Sequence, residues 1–486
     1  MDLQLNDILA QAAAVFLYFG ILIFVAVRSY TKQTSDVDFI MGNRSMGYWL
    51  TALAVHASDM SSWLFMGYPA LIFAVGMQQA WAGIGLLVFM YLNWQIIAPR
   101  VRTATEEYSS LTFSSFFENR LGDISGTIRI FTALMLFAFY TIYISAALVG
   151  MGLVLETLFG VPYSLSVIIG ILIVVPYVFV GGYLTLAWID LFQGIFLLVV
   201  IVFVSIFVFP KVGGFTGIGE AIAAKNLTGA LIPDYSAKTL LNIFFLTVGW
   251  GLGYFGQPHI ITKFMGIRKV SEIWKAKIIG MTWMTFAIGA ATMIGLIGIP
   301  FFLSTGLKVD AEVFIQMVKQ SFPPFIAGFI LCAVFAATIN AMSSMVLVLS
   351  SSLTEDIYKR VFRPKASPKE LLLTSRFGVI VVSLIAFAIA IAKISTIYGL
   401  VFYAWSGLGS SFGPLLLLCL YMRNVNKYGA WAGILLGGII SAVWPLFQHR
   451  FAVDIPPLPP AFVVSFLAIW LVSKYTSTPD KISRTA

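Results

Sequence analysis

Apolar runs of membrane-crossing length recur thirteen times along this chain, and no other feature limits its architecture so strongly. They lie near residues 8–28, 47–75, 78–98, 127–157, 163–183, 188–209, 239–260, 273–303, 324–351, 370–393, 398–421, 427–447 and 459–475. In hydrocarbon a backbone must satisfy its own hydrogen bonds, so runs of this kind predict transmembrane α-helices. Charged residues make up 10% of the 486-residue chain, against about 25% in an average soluble domain. The connections leave no room for a large soluble domain. The expected fold class is an all-α membrane protein of about 13 transmembrane helices. Met1 to Asp7 hold no basic segment, and the run that follows is of span length, so no cleavable signal peptide is expected.

The net charge of +9 would suit nucleic acid if it were clustered, but it is divided by side of the membrane. An odd number of spans puts the termini on opposite sides. With the N-terminus outside and the C-terminus cytoplasmic, the outer side keeps only Lys211, Lys225, Lys238, Lys308, Lys319, Lys393 and Arg450. The other basic residues fall inside, among them Lys263, Arg268 and Lys269 after the seventh run and Lys359, Arg360 and Arg363 after the ninth. No loop combines a basic run with aromatic platforms, so no nucleic-acid partner is expected. Membrane lipid is the surrounding partner, and no obligate protein partner is evident. Cys332 and Cys419 both sit in apolar runs and read as small core residues rather than as a disulfide or metal site.

Two runs are poor continuous helices. The second holds Ala54-Val55-His56-Ala57-Ser58-Asp59-Met60-Ser61-Ser62-Trp63, with the run's only carboxylate among small residues. An ionised carboxylate costs roughly 2.5–3.5 kcal/mol at the membrane centre even on the lenient insertion scale. Such a group belongs at a cavity, an ion or a partner. The seventh holds Gly249-Trp250-Gly251-Leu252-Gly253-Tyr254-Phe255-Gly256-Gln257-Pro258, where four glycines and a proline crowd into ten residues. Close helix packing would explain isolated glycines, but not this cluster with its aromatics. The interrupted runs are five apart. Matching interruptions in two halves point to an inverted-repeat transporter with its site near the midplane. The expected organisation is a peripheral first helix and loop (1–46), a first five-helix repeat (47–209), a second (239–421), and peripheral helices with a tail (422–486).

At these residues the chain resembles the sodium/solute symporter family, and within it the bacterial sodium/proline symporters. The resemblance is carried by Gly42-Asn43-Arg44-Ser45, Ala57-Ser58-Asp59-Met60-Ser61, Gly181-Gly182-Tyr183-Leu184-Thr185 with Trp188, Asp190 and Gln193, the eleven residues Gly249–His259, and Thr354-Glu355-Asp356-Ile357-Tyr358-Lys359. It implies a LeuT-type fold of two inverted five-helix repeats in a bacterial cytoplasmic (inner) membrane. It implies a secondary symporter that imports L-proline or a close analogue by alternating access, with no cofactor beyond the coupling ion.

By that resemblance proline would lie among Trp63, Tyr143, Trp250, Tyr254 and Pro258. The residue types agree with the chemistry. A pyrrolidine ring suits flat aromatic walls, and its ammonium is drawn to an aromatic face by roughly 0.5–2 kcal/mol. Its carboxylate suits free N–H groups at a half-helix N-terminus. Family sodium would meet the carbonyls of Ala57, Met60 and Ala337, with two hydroxyl side chains from the ninth span. This chain departs there, carrying Asn340 and Ala341 in their place. Asn340 offers an amide oxygen and Ala341 offers no ligand.

Asp59 would stabilise the cation by its charge, the alternative being a helix cap. His56, where these symporters have a small residue, stands three before Asp59 and suggests a second reading. An Asp–His pair could exchange protons near neutrality, so the coupling ion is Na+ by family with H+ as the alternative; the plainer reading of His56 is a cap on the half-helix end or a hydrogen bond to a neighbouring helix. Arg44 and Asp190 would belong to a cytoplasmic gate. His259 and His449 carry no assigned role.

Three other classes fit the chain less well. A channel needs a filter motif, and none is present. A transporter-like sensor needs an appended signalling domain, for which the segment after Lys474 is too short. A membrane enzyme needs a nucleophile–base pair or a metal cluster, and three histidines leave little material.

Overall fold

The computed structural model describes residues 5–30, 36–180, 182–447, 450 and 453–476, so Gly181 and His449 lie outside it. All regular elements among these residues are helical. After α1 (Leu5–Ser29) and the short α2 (Asp36–Met41), the second apolar run divides into α3 (Tyr48–Asp59) and α4 (Gly67–Val75). The third run is one rod made of α5 (Ala80–Leu92), a π-helical turn Asn93–Ile97, and α6 (Ala98–Glu107). A surface helix α7 (Phe113–Leu121) leads into α8 (Thr127–Phe159), α9 (Tyr163–Val180) and α10 (Tyr183–Val208). The short α11 (Gly214–Ala224) precedes the second broken run, α12 (Ala237–Gly251) and α13 (Pro258–Met265). Then come α14 (Ile273–Phe301), the short α15 (Val313–Ser321), α16 (Pro324–Ser352), α17 (Pro368–Ala392), α18 (Ile397–Tyr421), α19 (Lys427–Val443) and α20 (Leu458–Tyr475).

Eleven helical stretches among the described residues are long and apolar enough to cross a membrane by length and composition. This count and the thirteen sequence runs differ at two places. One is the broken second run, whose halves are each too short. The other is the fifth run, where only Tyr163–Ile173 is scored as a shorter apolar helix.

Local chemistry sets the helix ends. Prolines in the first turn open α6, α13, α16 and α17, where a missing N–H costs nothing. Side chains of Ser236, Ser367, Thr396 and Asn426 cap α12, α17, α18 and α19. The interior is built from α3, α8, α16 and α18, which carry long buried faces; α1 is mostly exposed and lies along α16 and α10. Both faces of α16 are covered, so Ala333 to Met345 are buried without interruption. At the far edge α19 and α20 pack on each other and on α18.

Candidate functional site

The helix of α3 stops at Asp59. Met60 N–H closes the last turn on the His56 carbonyl (3.2 Å), whereas Ser61 N–H turns to the Asp59 carbonyl (3.1 Å) instead of that of Ala57. Met60 leaves the helical region (φ −86°, ψ 75°) and Ser61 is extended. The Ala57 carbonyl thereby loses its helical donor and is released. In the other interruption α12 ends at Gly251, a 3₁₀ turn covers Leu252–Gly256, and Gln257 is extended before Pro258 starts α13.

Both interruptions face one another. Tyr254 Oη donates to Asp59 Oδ2 at 2.5 Å, joining the two breaks through a buried charge-assisted hydrogen bond. Beside this bond is a cavity of 240 Å³ lined by Asp59, Met60, Trp63, Leu86, Tyr143, Trp250, Tyr254, Val401 and Trp405. The space is tight, and apart from the Asp59 carboxylate its walls are mostly apolar and aromatic side chains. The sequence expectation placed Trp63, Tyr143, Trp250 and Tyr254 at the substrate, and all four line it. Pro258 does not; it is buried at the first turn of α13.

Sequence reasoning missed Leu86, Val401 and Trp405. The last had a visible signal, a lone indole ahead of the small residues Ser406, Gly407 and Gly409. Its Nε1–H donates to the Trp250 carbonyl (2.9 Å), and its ring stands edge-on to Tyr254 (5.1 Å between centroids). Gly253 permits this approach, since a Cβ there would fall 1.8 Å from Trp405 Nε1.

The expected cation residues Ala57, Met60, Ala337 and Asn340 are all buried, and α16 packs against α3 and the turn Ser62–Leu64. Among the described residues neither side-chain polar atom of Asn340 has a hydrogen-bond partner, and the same holds for Ser344 Oγ. A buried amide left unpaired is costly, so this arrangement calls for a polar occupant. Ser343 Oγ is spent on the Asn340 carbonyl (3.1 Å), and Ala341 supplies nothing.

His56 and Asp59 are not brought together. The imidazole is turned toward α14 and the π-helical turn, where Trp94 Nε1–H donates to His56 Nε2 at 3.2 Å. It fits a notch at Gly280, whose added Cβ would lie 2.4 Å from Nε2, and it also meets the Trp283 ring. To accept from an indole, Nε2 must be unprotonated, so the ring is neutral with its proton on Nδ1. The proton alternative is not favoured. His259 is also committed, to Tyr140, whose Oη lies 3.1 Å from Nδ1 and accepts from the His259 N–H (2.9 Å).

Arg44 and Asp190 both fasten α13, by different means. Arg44 is left-handed in backbone, as are Gly42 and Asn43. Its guanidinium holds that shape through the Met265 carbonyl (2.8 Å), the Thr105 carbonyl (2.9 Å) and hydroxyl (3.2 Å), and the Ser110 carbonyl (3.1 Å). Burial, then the Arg102 charge, lower its proton affinity from the ordinary value. Next to it Met46 and Ile267 form a parallel bridge: Met46 N–H donates to the Gly266 carbonyl (3.2 Å) and Arg268 N–H to the Met46 carbonyl (2.8 Å). Asp190 instead accepts from Lys263 Nζ at 2.8 Å, with both side chains buried. Lys263 is therefore no loop charge, as its place after the seventh run suggested; it belongs to α13.

Two further cavities flank the central one. A 1260 Å³ space includes Tyr398, Phe402, Asp454 and Pro456, and Trp250 Nε1–H donates to Tyr398 Oη (3.1 Å). A 460 Å³ space on the other side includes Tyr183, His259, Lys263, Ser344 and Ser351.

Broken helices meeting at a buried cavity, with a cavity to either side, define a secondary-transporter architecture. The profile of the Sodium:solute symporter family matches residues 39–437. The high-affinity proline transporter PutP of Bacillus subtilis (strain 168) is 38% identical over 464 residues, covering 95% of this chain and 97% of its own. Sodium/proline symporter 2 of Staphylococcus saprophyticus is 35% identical over 477 residues, covering 96% and 93%. A solved structure of a Na+-coupled sialic acid symporter in a substrate-bound outward-open state superposes with a TM-score of 0.80 at 19% identity, covering 96% of this chain and 98% of that one. The fold is LeuT-type. The chain belongs to the sodium:solute symporter family.

Proposed function

We propose that this protein is a secondary active symporter that imports L-proline, or a close analogue, with sodium as the driving ion. The observation that carries the reading is the Tyr254–Asp59 bond, which places both helix interruptions and four aromatic walls at one small cavity. The substrate ring stacks between Trp63, Tyr143, Trp250 and Tyr254, and its ammonium faces their π-clouds. Its carboxylate takes main-chain N–H groups freed at the breaks. Sodium lies on the other side of the same break, held by the carbonyls of Ala57, Met60 and Ala337 and by the Asn340 amide oxygen. The Asp59 charge, one residue from Met60, stabilises it. Cation and solute thus order opposite sides of one interrupted segment, and each favours the other.

Alternating access then moves the interrupted helices against their surroundings, with residues 47–209 and 239–421 as the two repeats and α1, α19 and α20 outside them. Trp250, Tyr398 and Phe402 close one route, and Arg44 with the Asp190–Lys263 pair closes the other, toward the cytoplasm. The N-terminus faces outward from the inner membrane, and the C-terminus faces in. Uptake of labelled proline into proteoliposomes tests the reading. A sodium gradient alone is expected to drive accumulation, and a pH gradient alone is expected to drive none. Accumulation under the pH gradient alone would reject sodium coupling; none under either gradient would reject proline.

A further inference from the structure

The π-helical turn Asn93–Ile97 interrupts the third rod, the same rod whose Leu86 lines the cavity. Turns of this kind are uncommon and gather at functional sites. Here its first two residues, both buried, reach the two interrupted runs. Asn93 Nδ2 donates to the Tyr254 carbonyl (3.2 Å), inside the 3₁₀ turn that separates α12 from α13. Trp94 Nε1 donates to His56 Nε2 (3.2 Å), one turn before the end of α3. Tyr254 Oη returns to Asp59, one turn after His56. The contacts form a closed circuit: Trp94 to His56, along one turn of α3 to Asp59, across to Tyr254, through its main chain to Asn93, and back.

We propose that this circuit mechanically couples the two helix interruptions, with Asn93, Trp94 and His56 as positioning residues that touch neither solute nor ion. A shift of the α3 end on filling of its cation site is passed to the Tyr254 main chain through the π-helical turn, as well as directly through Asp59. Two links in parallel make the breaks respond as a unit. His56 serves as a neutral acceptor, seated against Gly280, and its role is geometric. The inference rests on the symport reading for its consequence, but not for its physical content.

Two measurements separate them. Amide hydrogen exchange on the ligand-free protein reads the circuit itself. Trp94→Phe keeps a ring and deletes the donor; Asn93→Leu keeps bulk and deletes the amide. Each is expected to speed exchange by about threefold or more in both segments, 56–64 and 250–257. Acceleration confined to the segment bonded to the altered residue overturns the proposal.

The second measurement is the ratio of proline dissociation constants without and with sodium, on purified full-length protein. Both variants are expected to cut that ratio by about fivefold, the effect of one lost buried hydrogen bond. His56→Ala is expected to do the same, whereas His56→Gln, whose amide oxygen sits where Nε2 was, restores the ratio to within about twofold of wild type. An unchanged ratio in Trp94→Phe, or equal losses in the His56 pair, also overturns it. A wild-type protein that binds no proline, or ignores sodium, sinks the functional reading, and the exchange pattern then decides the circuit alone.

Discussion

Asp59 is buried among apolar and aromatic neighbours, and the only side-chain donor that reaches it among the described residues is the Tyr254 phenol. Tyr254→Phe should therefore weaken proline binding by roughly tenfold or more, because a hydrogen bond to a charged group contributes about 1.5–3 kcal/mol. Equilibrium binding measures this directly. Asp59→Asn should abolish concentrative uptake while the protein still inserts and folds; unchanged accumulation would remove the carboxylate from the mechanism. Gly253→Ala forces a methyl into the Trp405 indole, and overpacking of that kind costs about 1–3 kcal/mol. Its thermal midpoint should fall even without ligand.

At this scale the site was only partly legible. Asp59 and Trp250 announce themselves as a charge and an indole among apolar and small residues. Trp405 reaches the cavity from α18 only because Gly253 lets it, a pairing across 152 positions of chain that no local pattern encodes. The environment of His56 is hidden for a related reason. Spacing put it near Asp59, but the notch at Gly280 and the Trp94 donor turn it away.

Elements were read more surely than residues, because glycine, proline and small polar residues act on the chain where they stand. Both interruptions fall where composition places them. The restart after the second was less clear. The apolar run fades near residue 260, whereas α13 continues to Met265, since Pro258 opens a new helix and its buried face needs two more turns. That extension carries Lys263 to Asp190. Breaking one partner of a buried pair costs about 3–5 kcal/mol, as it strands the other charge. Lys263→Met should lower the thermal midpoint sharply. Adding Asp190→Asn to that variant should recover much of the loss, and a double-mutant cycle of unfolding measures the coupling. Additive losses would show the pair to be incidental.

For the molecule as a whole, the long apolar stretches and the family leave a multi-pass transporter, and the placement of lysines and arginines supplies the orientation proposed for it. Lys308→Cys should react with an impermeant thiol reagent applied from outside the cell, and Lys365→Cys only after the membrane is opened. The native Cys332 and Cys419 are buried and should stay silent. Reversed labelling would invert the topology.

The parallel bridge between Met46 and Ile267 bears on how such a molecule opens. It stitches the stretch entering one interrupted run to the stretch leaving the other, and it does so with peptide groups alone. Substituting ordinary side chains leaves those seams intact, and only an imino acid at 46 or 268 would remove a donor. Opening the molecule along that line would have to part both peptide hydrogen bonds together or carry the two stretches as one piece.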